Sequence, residues 1–182
     1  FLTADYALNH LARLSAGDRV LIHAAAGGVG LAAVQLAQRA GAEIFATAGS
    51  PEKREFLKSL GIQHVMNSRS LEFADEIMER TGGQGVTIVL NSLTGDFIPK
   101  SLAALGANGR FLEIGKAGIW SKDQVARVRG DIAYFPIYLG EVDPGTLGSM
   151  LRQLTEAFTT GTLTPLPLRV FPMRDVAGAF RY

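Results

Sequence analysis

Read along the chain, apolar residues alternate between short unbroken runs and runs spaced three and four apart, and each pattern predicts a different element. Ala4, Ala7, Leu8 and Leu11 share one face of a short helix for which Thr3 is the candidate cap, ended by Ser15, Gly17 and Asp18. Val20 to Ala24 is continuously apolar and predicts a strand. Val29 to Ala40 predicts a helix with Val29, Ala33, Leu36, Ala37 and Ala40 turned inward and Gly41 closing it. The pair recurs as a strand over Glu43 to Ala48 and a helix from Ser50 and Pro51 to Leu60, closed by Gly61. Ser50 stands at the cap, and Pro51 falls in the first turn, where its missing N–H costs no hydrogen bond. A short strand near Val65, a helix over Leu71 to Arg80, a strand over Val86 to Leu90, a helix over Asp96 to Leu105 and a strand over Arg110 to Ile114 continue the alternation. Strands without period-two alternation, separated by amphipathic helices, predict a parallel sheet covered on both faces.

Beyond Gly115 the pattern changes. Ser121 and Gln124 form a capping box for one short helix, Ile132 to Leu139 predicts a sixth strand, and Pro144 to Thr159 a longer helix ended by Gly161. Leu163 to Pro172 carries three prolines and one short run, Leu168 to Phe171, expected as an edge or interdomain strand. The expected architecture is α/β, a doubly wound parallel six-stranded sheet of the Rossmann type in the order 3-2-1-4-5-6. Residues 1–162 are expected to form the binding domain, with 1–14 as a junction helix and 163–182 as a C-terminal segment.

Composition narrows the class. The chain has 182 residues, 47% hydrophobic and 19% charged, with 21 glycines, no cysteine and a formal net charge of +1. A chain of this length buries enough surface to fold without disulfides or a structural metal, and a cysteine-stapled scaffold is excluded. Lys and Arg are scattered, which gives no basic field for nucleic acid or an anionic membrane. No apolar run reaches a membrane span and no signal peptide opens the chain, so a cytoplasmic location is expected. Starting at Phe1 and stopping at Tyr182 just after an amphipathic start, the chain is expected to be a piece of something longer.

The glycine excess is concentrated where it carries chemistry. Val20 to Gly30 reads VLIHAAAGGVG, an apolar strand running straight into a helix. Ala25, Gly27 and Gly30 occupy the small-residue positions of GxGxxG, with Gly28 and Val29 between them: one for the tight turn, one for approach of the backbone to a pyrophosphate, one for close packing of helix on strand. The helix N-terminus adds free N–H groups and a positive dipole end. The alternative is a tight turn with no ligand.

A dinucleotide whose ribose 2′-OH is free is usually met by an acid at the end of the second strand. Here that strand ends Thr47, Ala48, Gly49, Ser50, with no acid, and Thr47 and Gly49 are expected to contact the cofactor. Ser50, Lys53, Ser68 and Arg69 instead offer donors to a 2′-phosphate, so NADPH is the expected cofactor. Arg54 is expected to be a solvated helix residue, and Lys53 has the same alternative.

With IHAAAGGVGLAAVQLAQRAGAEIFATAGSPEKREFLKSLG, VTIVLNSLTGDFIPKSLAALGANGRFLEIGK and LTPLPLRVF in view, the chain resembles the enoyl reductase domains of polyketide synthases. These lie in the zinc-independent, quinone-reductase-like branch of the medium-chain dehydrogenase/reductase superfamily. The resemblance implies that NADPH reduces the α,β double bond of an enoyl thioester carried on an acyl carrier protein. It also implies a GroES-like substrate domain, to which 163–182 leads back, and a homodimer formed through the sixth strand. A free-standing quinone or alkenal reductase of the same superfamily and a non-catalytic nucleotide-binding, dimerising module are the alternatives.

The fold places the nicotinamide at the carboxyl ends of the first, fourth and fifth strands, near Asn91, Ser92, Leu93, Ile114 and Gly115; Asn91 and Ser92 could equally cap the next helix. The resemblance suggests Lys116 as proton donor or as a cation beside the enolate; the alternative is a strand-end lysine pointing into water. Related synthases carry an Asp where this chain has Tyr138, a weaker catalytic candidate. His10, His23 and His64 have no metal-ligand spacing and read as structural, and no metal is expected.

Overall fold

In the computed structural model, which describes residues 1–181, six parallel strands form one sheet in the order β3-β2-β1-β4-β5-β6. The strands are β1 (Arg19–Ile22), β2 (Glu43–Ala48), β3 (His64–Asn67), β4 (Val86–Asn91), β5 (Leu105–Glu113) and β6 (Ala133–Pro136). The chain leaves β1 towards β2 on one side and returns to β4 on the other, so the direction of winding reverses between β1 and β4. A crevice opens at such a reversal, outside the carboxyl ends of the strands.

Side-chain alternation sorts the strands into two apolar layers. Val20, Ile22, Ile44, Ala46, Ile88, Leu90 and Leu112 face one layer, covered by α1 (Leu2–Asp5), α2 (Gly28–Ala40), α3 (Pro51–Ser59) and α7 (Pro144–Thr159). Leu21, Phe45, Met66, Val89, Phe111 and Tyr134 face the other, covered by α4 (Phe73–Arg80), α5 (Phe97–Ala103) and α6 (Lys122–Val128). With apolar groups needed on both faces, the strands cannot show the alternation of a half-exposed sheet.

Local chemistry sets the helix ends. Ser50 accepts the Lys53 N–H at the start of α3, Ser121 and Gln124 close the capping box of α6, and Asp143 accepts the Thr146 N–H before Pro144 in α7. Thr3 does not cap the first helix: it begins at Leu2 with no side-chain cap and passes into a wider turn over Tyr6–Leu11.

Four further expectations are corrected. β1 stops at Ile22, and Ala24, assigned to it from its apolar run, has φ +49 and belongs to the turn. β5 starts at Leu105: Leu105 pairs with Val86 and Arg110 with Ile88, so residues 106–109 bulge opposite a single residue. Gly106 and Asn108 read as a turn in sequence, which hides a strand that resumes after a bulge. β6 is four residues long because its partner β5 ends at Glu113, paired with Pro136, which has no N–H. Leu168 to Phe171 forms no strand; the sheet edges are β3 and β6 and neither pairs with it. Of the expected C-terminal segment 163–182, Tyr182 lies outside the described residues. No helix among the described residues is long and apolar enough to cross a membrane.

Candidate functional site

The carboxyl rim of the sheet begins with the turn from β1 to α2. Ala24 takes a left-handed conformation, which turns its carbonyl back to accept the Gly27 N–H at 2.8 Å. Ala25 is held from the neighbouring strand, its N–H donating to the Thr47 carbonyl at 2.9 Å. Gly27 is the helix N-cap, and the first intrahelical bond runs from the Leu31 N–H to its carbonyl. The amides of Gly28, Val29 and Gly30 form the first turn, where no carbonyl of the helix can reach them. Gly30 is buried, and a Cβ there would lie 2.5 Å from both the Ala24 oxygen and the Ala25 Cα. Helix and strand therefore meet closely enough to aim the α2 N-terminus along the crevice, a cradle suited to a pyrophosphate.

The second half of the rim lies beyond β2 and β3. A Cβ on Gly49 would meet the Arg69 Nε at 3.1 Å and the Ser68 Oγ at 3.4 Å, so Ser68 and Arg69 converge on the end of β2. Arg69 is exposed there, with its backbone N–H held by the Asn67 side chain at 3.0 Å. Ser50 and Lys53 start α3 beside it, Lys53 exposed. Arg54 is not a solvated residue: half-buried, it donates to the Ala48 carbonyl at 3.3 Å and ties α3 back to the end of β2.

Beneath this rim lies a feature that sequence reasoning missed as a set. Thr47, His23, Asn91 and Glu113 lie at or next to the carboxyl ends of β2, β1, β4 and β5, and each follows by two residues an apolar side chain of one layer: Phe45, Leu21, Val89 and Phe111. All four are buried. They form a polar row across four adjacent strands, capping the apolar layer from above. The signal in the sequence is a polar residue at the same offset past each apolar run.

Two networks make up the row. His23 meets Thr47 Oγ1 with Nδ1 at 3.0 Å and Ser101 Oγ with Nε2 at 2.8 Å, and the Ser101 hydroxyl donates to the Phe97 carbonyl at 2.7 Å. With the Ser101 proton spent on Phe97, Ser101 accepts from Nε2–H, and Nδ1 accepts from Thr47. His23 is thus a neutral Nε2–H tautomer, and burial pushes its pKa down to about 3. It is a structural histidine, as its sequence position suggests.

In the other network Asn91 donates through Nδ2 to the Leu93 carbonyl at 2.8 Å and to Glu113 Oε2 at 2.7 Å, and accepts the Leu93 N–H at 3.1 Å. Glu113 accepts the Gly115 N–H with its other oxygen at 2.7 Å. Burial pushes the Glu113 carboxyl up, and the hydrogen bonds from Asn91 and Gly115 offset only part of that push. Thr47 and Asn91, expected from sequence to touch a cofactor, therefore have buried side chains that act from beneath the crevice. Ser92, Leu93, Ile114 and Gly115 remain half-buried at its edge.

Lys116 follows directly and is exposed, its ammonium 4.8 Å from the centre of the Tyr138 ring, a cation–π distance. The structure thus brings the two expected catalytic candidates together. His10 instead stacks on Tyr6, and His64 stacks on Phe45 with Nε2 2.9 Å from Glu43. A separate crevice of about 790 Å³ lies away from this rim, between Asp5, His10, the C-terminal end of α2 and α7.

Comparison with known proteins is consistent with this geometry. A family profile described as zinc-binding dehydrogenase matches residues 28–156, and the chain belongs to that family. Among the described residues no three His, Asp or Glu side chains gather to hold a metal, and the chain has no cysteine, so the residues present do not fit a zinc site. The chain is 43% identical over 185 residues to the phthioceranic/hydroxyphthioceranic acid synthase of Mycobacterium tuberculosis, matching 98% of this chain and only 9% of that protein. It superposes on the CurK enoyl reductase with a TM-score of 0.94 and 60% identity, covering 100% of this chain and 55% of that one. It also superposes on the nucleotide-binding subdomain of the enoylreductase domain of PpsC from Mycobacterium tuberculosis with a TM-score of 0.83 and 41% identity, over 91% of this chain and 96% of that subdomain.

Proposed function

We propose that the chain is the nucleotide-binding subdomain of an NADPH-dependent enoyl reductase of the polyketide synthase type. The observation that carries this reading is the turn at Gly30, which leaves no room for a Cβ and points a helix N-terminus into the crevice where the winding reverses. The enoyl reductase relatives at 41% and 60% identity support the reaction class. When bound, NADPH supplies the hydride that reduces the α,β double bond of an enoyl thioester presented on an acyl carrier protein.

Each group of rim residues has a part. Gly28, Val29 and Gly30 receive the pyrophosphate on the free N–H groups of the first turn of α2, and Ala25 and Gly27, whose own N–H groups are spent on the Thr47 and Ala24 carbonyls, shape the turn that presents them. Gly49, Ser50, Lys53, Ser68 and Arg69 surround the 2′-phosphate, with no acid at the end of β2 to repel it. Ser92, Leu93, Ile114 and Gly115 frame the nicotinamide end, held by Asn91 from below. Lys116 stands beside the reacting carbon chain as a cation for the enolate-like oxygen that develops on hydride transfer, steadied by the Tyr138 ring. Residues 1–162 make the binding unit, 163–182 leads to a substrate domain, and the free edge of β6 pairs two copies into a homodimer.

Calorimetric titration with NADPH and NADH tests the reading. The chain binds NADPH in preference to NADH, and Arg69→Ala weakens NADPH roughly tenfold, as loss of one charge-assisted contact requires, while leaving NADH unchanged. Equal affinity of the wild-type chain for both dinucleotides refutes the 2′-phosphate assignment.

A further inference from the structure

Among the described residues Glu113 is the one buried carboxylate at the carboxyl end of the sheet, and nothing in the proposed reaction uses it. Its surroundings are specific. One oxygen takes the Gly115 N–H and the other takes Asn91 Nδ2, each at 2.7 Å. The two donors belong to different loops: Gly115 opens the loop after β5, and Asn91 governs the loop after β4 by bonding both the N–H and the carbonyl of Leu93. Both loops leave strands that are paired side by side, Asn91 opposite Glu113.

The carboxylate also decides which way Asn91 faces. Only the amide nitrogen can approach an ionised carboxylate, so Glu113 sets the side-chain flip, and the flip leaves Oδ1 for the Leu93 N–H. A Cβ on Gly115 would stand 2.7 Å from Glu113 Oε1 and 3.2 Å from the Ile119 Cγ2, so a side chain there would push the carboxylate from its place. A buried carboxylate with only neutral donors is a costly way to fill space, and an apolar residue of the same size does that better. What an apolar residue cannot do is hold two donors from two loops at once.

We infer that Glu113 is a positioning residue for the nicotinamide end of the crevice: through Gly115 and Asn91 it fixes the two loops that frame the ring, and with them the origin of Lys116. This rests on the NADPH reading above, and it deepens it by separating how the two ends of the dinucleotide are held. The turn at Gly30 and Arg69 hold the adenosine and phosphate half. Glu113 sets the other half without touching it.

The test compares NADPH with 2′-phospho-ADP-ribose, which carries the same phosphates and lacks the nicotinamide, by calorimetric titration of this chain. Glu113→Gln offers one acceptor where two are needed, so one donor is left facing an amide N–H. It weakens NADPH roughly tenfold and leaves 2′-phospho-ADP-ribose unchanged. Asn91→Asp alone sets two carboxylates against each other and also weakens NADPH. The pair Asn91→Asp with Glu113→Gln restores a donor facing an acceptor between the two strands, though not the bond to the Leu93 carbonyl, and recovers part of the affinity. Equal weakening of both ligands by Glu113→Gln, unchanged NADPH binding, or no recovery in the pair overturns the inference. If Glu113→Gln does not fold, recovery of folding and NADPH binding in the pair supports the inference, and failure of the pair as well overturns it. A wild-type chain that binds 2′-phospho-ADP-ribose and NADPH with equal affinity shows that the nicotinamide is not held at all, which overturns the inference and leaves the phosphate reading standing. A wild-type chain that binds neither ligand removes the NADPH reading itself, and the inference with it.

Discussion

Two buried acids sit at opposite ends of the same sheet, and their partners differ in kind. At the base, Asp18 accepts the Thr87 hydroxyl at 2.7 Å, the N–H and hydroxyl of Ser15 at 2.9 and 3.1 Å, and the guanidinium of Arg110, which also donates to the Ala12 carbonyl at 2.6 Å. Burial raises the Asp18 carboxyl, but the hydrogen bonds from Thr87 and Ser15 and the charge of Arg110 outweigh that push and hold it below the usual carboxylate range. At the rim, Glu113 has neutral donors alone and its carboxyl is held high. A negative charge matched by a positive one strengthens the fold; a negative charge held by neutral dipoles strains it slightly and orders what surrounds it. The base is built to stay together, and the rim is built to hold a shape.

Removing the base acid should break the comparison most visibly. Asp18→Ala leaves the Arg110 guanidinium without its counter-charge and Thr87 with only its longer bond to the Arg19 carbonyl, and should cost about 3 kcal/mol in chemical denaturation. Folded molecules of that variant should keep wild-type NADPH affinity, since the base lies a strand length from the crevice. Loss of binding in step with loss of stability would show that the two ends are one unit.

The pH dependence sharpens it, because the two acids carry opposite signs. The folded pKa of Asp18 lies below its unfolded value of about 3.9, so its contribution is full above that pH and is lost as pH falls towards the folded value. The folded pKa of Glu113 lies above its unfolded value, so the folded state takes up a proton first and gains stability as pH falls from neutral towards about 4.3. Melting temperature followed from pH 7 downward should therefore lose its mildly acidic gain in Glu113→Gln and its steep fall below about pH 4 in Asp18→Asn. The same curve in both variants would dissolve the distinction.

The smallest effect concerns strain at the rim turn. Ala24, at φ +49, holds a conformation that costs an ordinary residue about 1 kcal/mol, while glycine loses about 0.5 kcal/mol through the freedom it adds to the unfolded chain. Ala24→Gly should thus stabilise the chain by about 0.5 kcal/mol, read as a shift in denaturation midpoint. A loss of stability would show that the turn carries no strain.

Legibility in sequence follows the same division between layers and rim. The sheet order and the extents of β2 and α7 were readable because apolar runs and caps report burial directly. Ala24 was not, since nothing in AAAGGVG says which small residue bears the positive φ; Ala25 was the expected turn residue, and the structure places the left-handed step one residue earlier. Glu113 was invisible for a related reason. A single acid inside FLEIGK is as compatible with a solvated strand end as with a buried acceptor, and only the pairing of β4 with β5 brings it to Asn91. Arg69 was legible by its place after the third strand, and its approach to Gly49 needed the fold.

The polar row also bears on how the sheet reaches its alignment. Thr47, His23, Asn91 and Glu113 stand at matched heights on neighbouring strands, each one step beyond a large apolar side chain. A strand that slid by one residue would turn its whole apolar set to the wrong face, and one that slid by two would drive an imidazole or a carboxylate into the layer of Phe45 and Phe111. Each mismatch strips a buried group of its partner, so the row acts as a gauge that rejects misaligned pairings during folding, before any ligand has arrived to select among them.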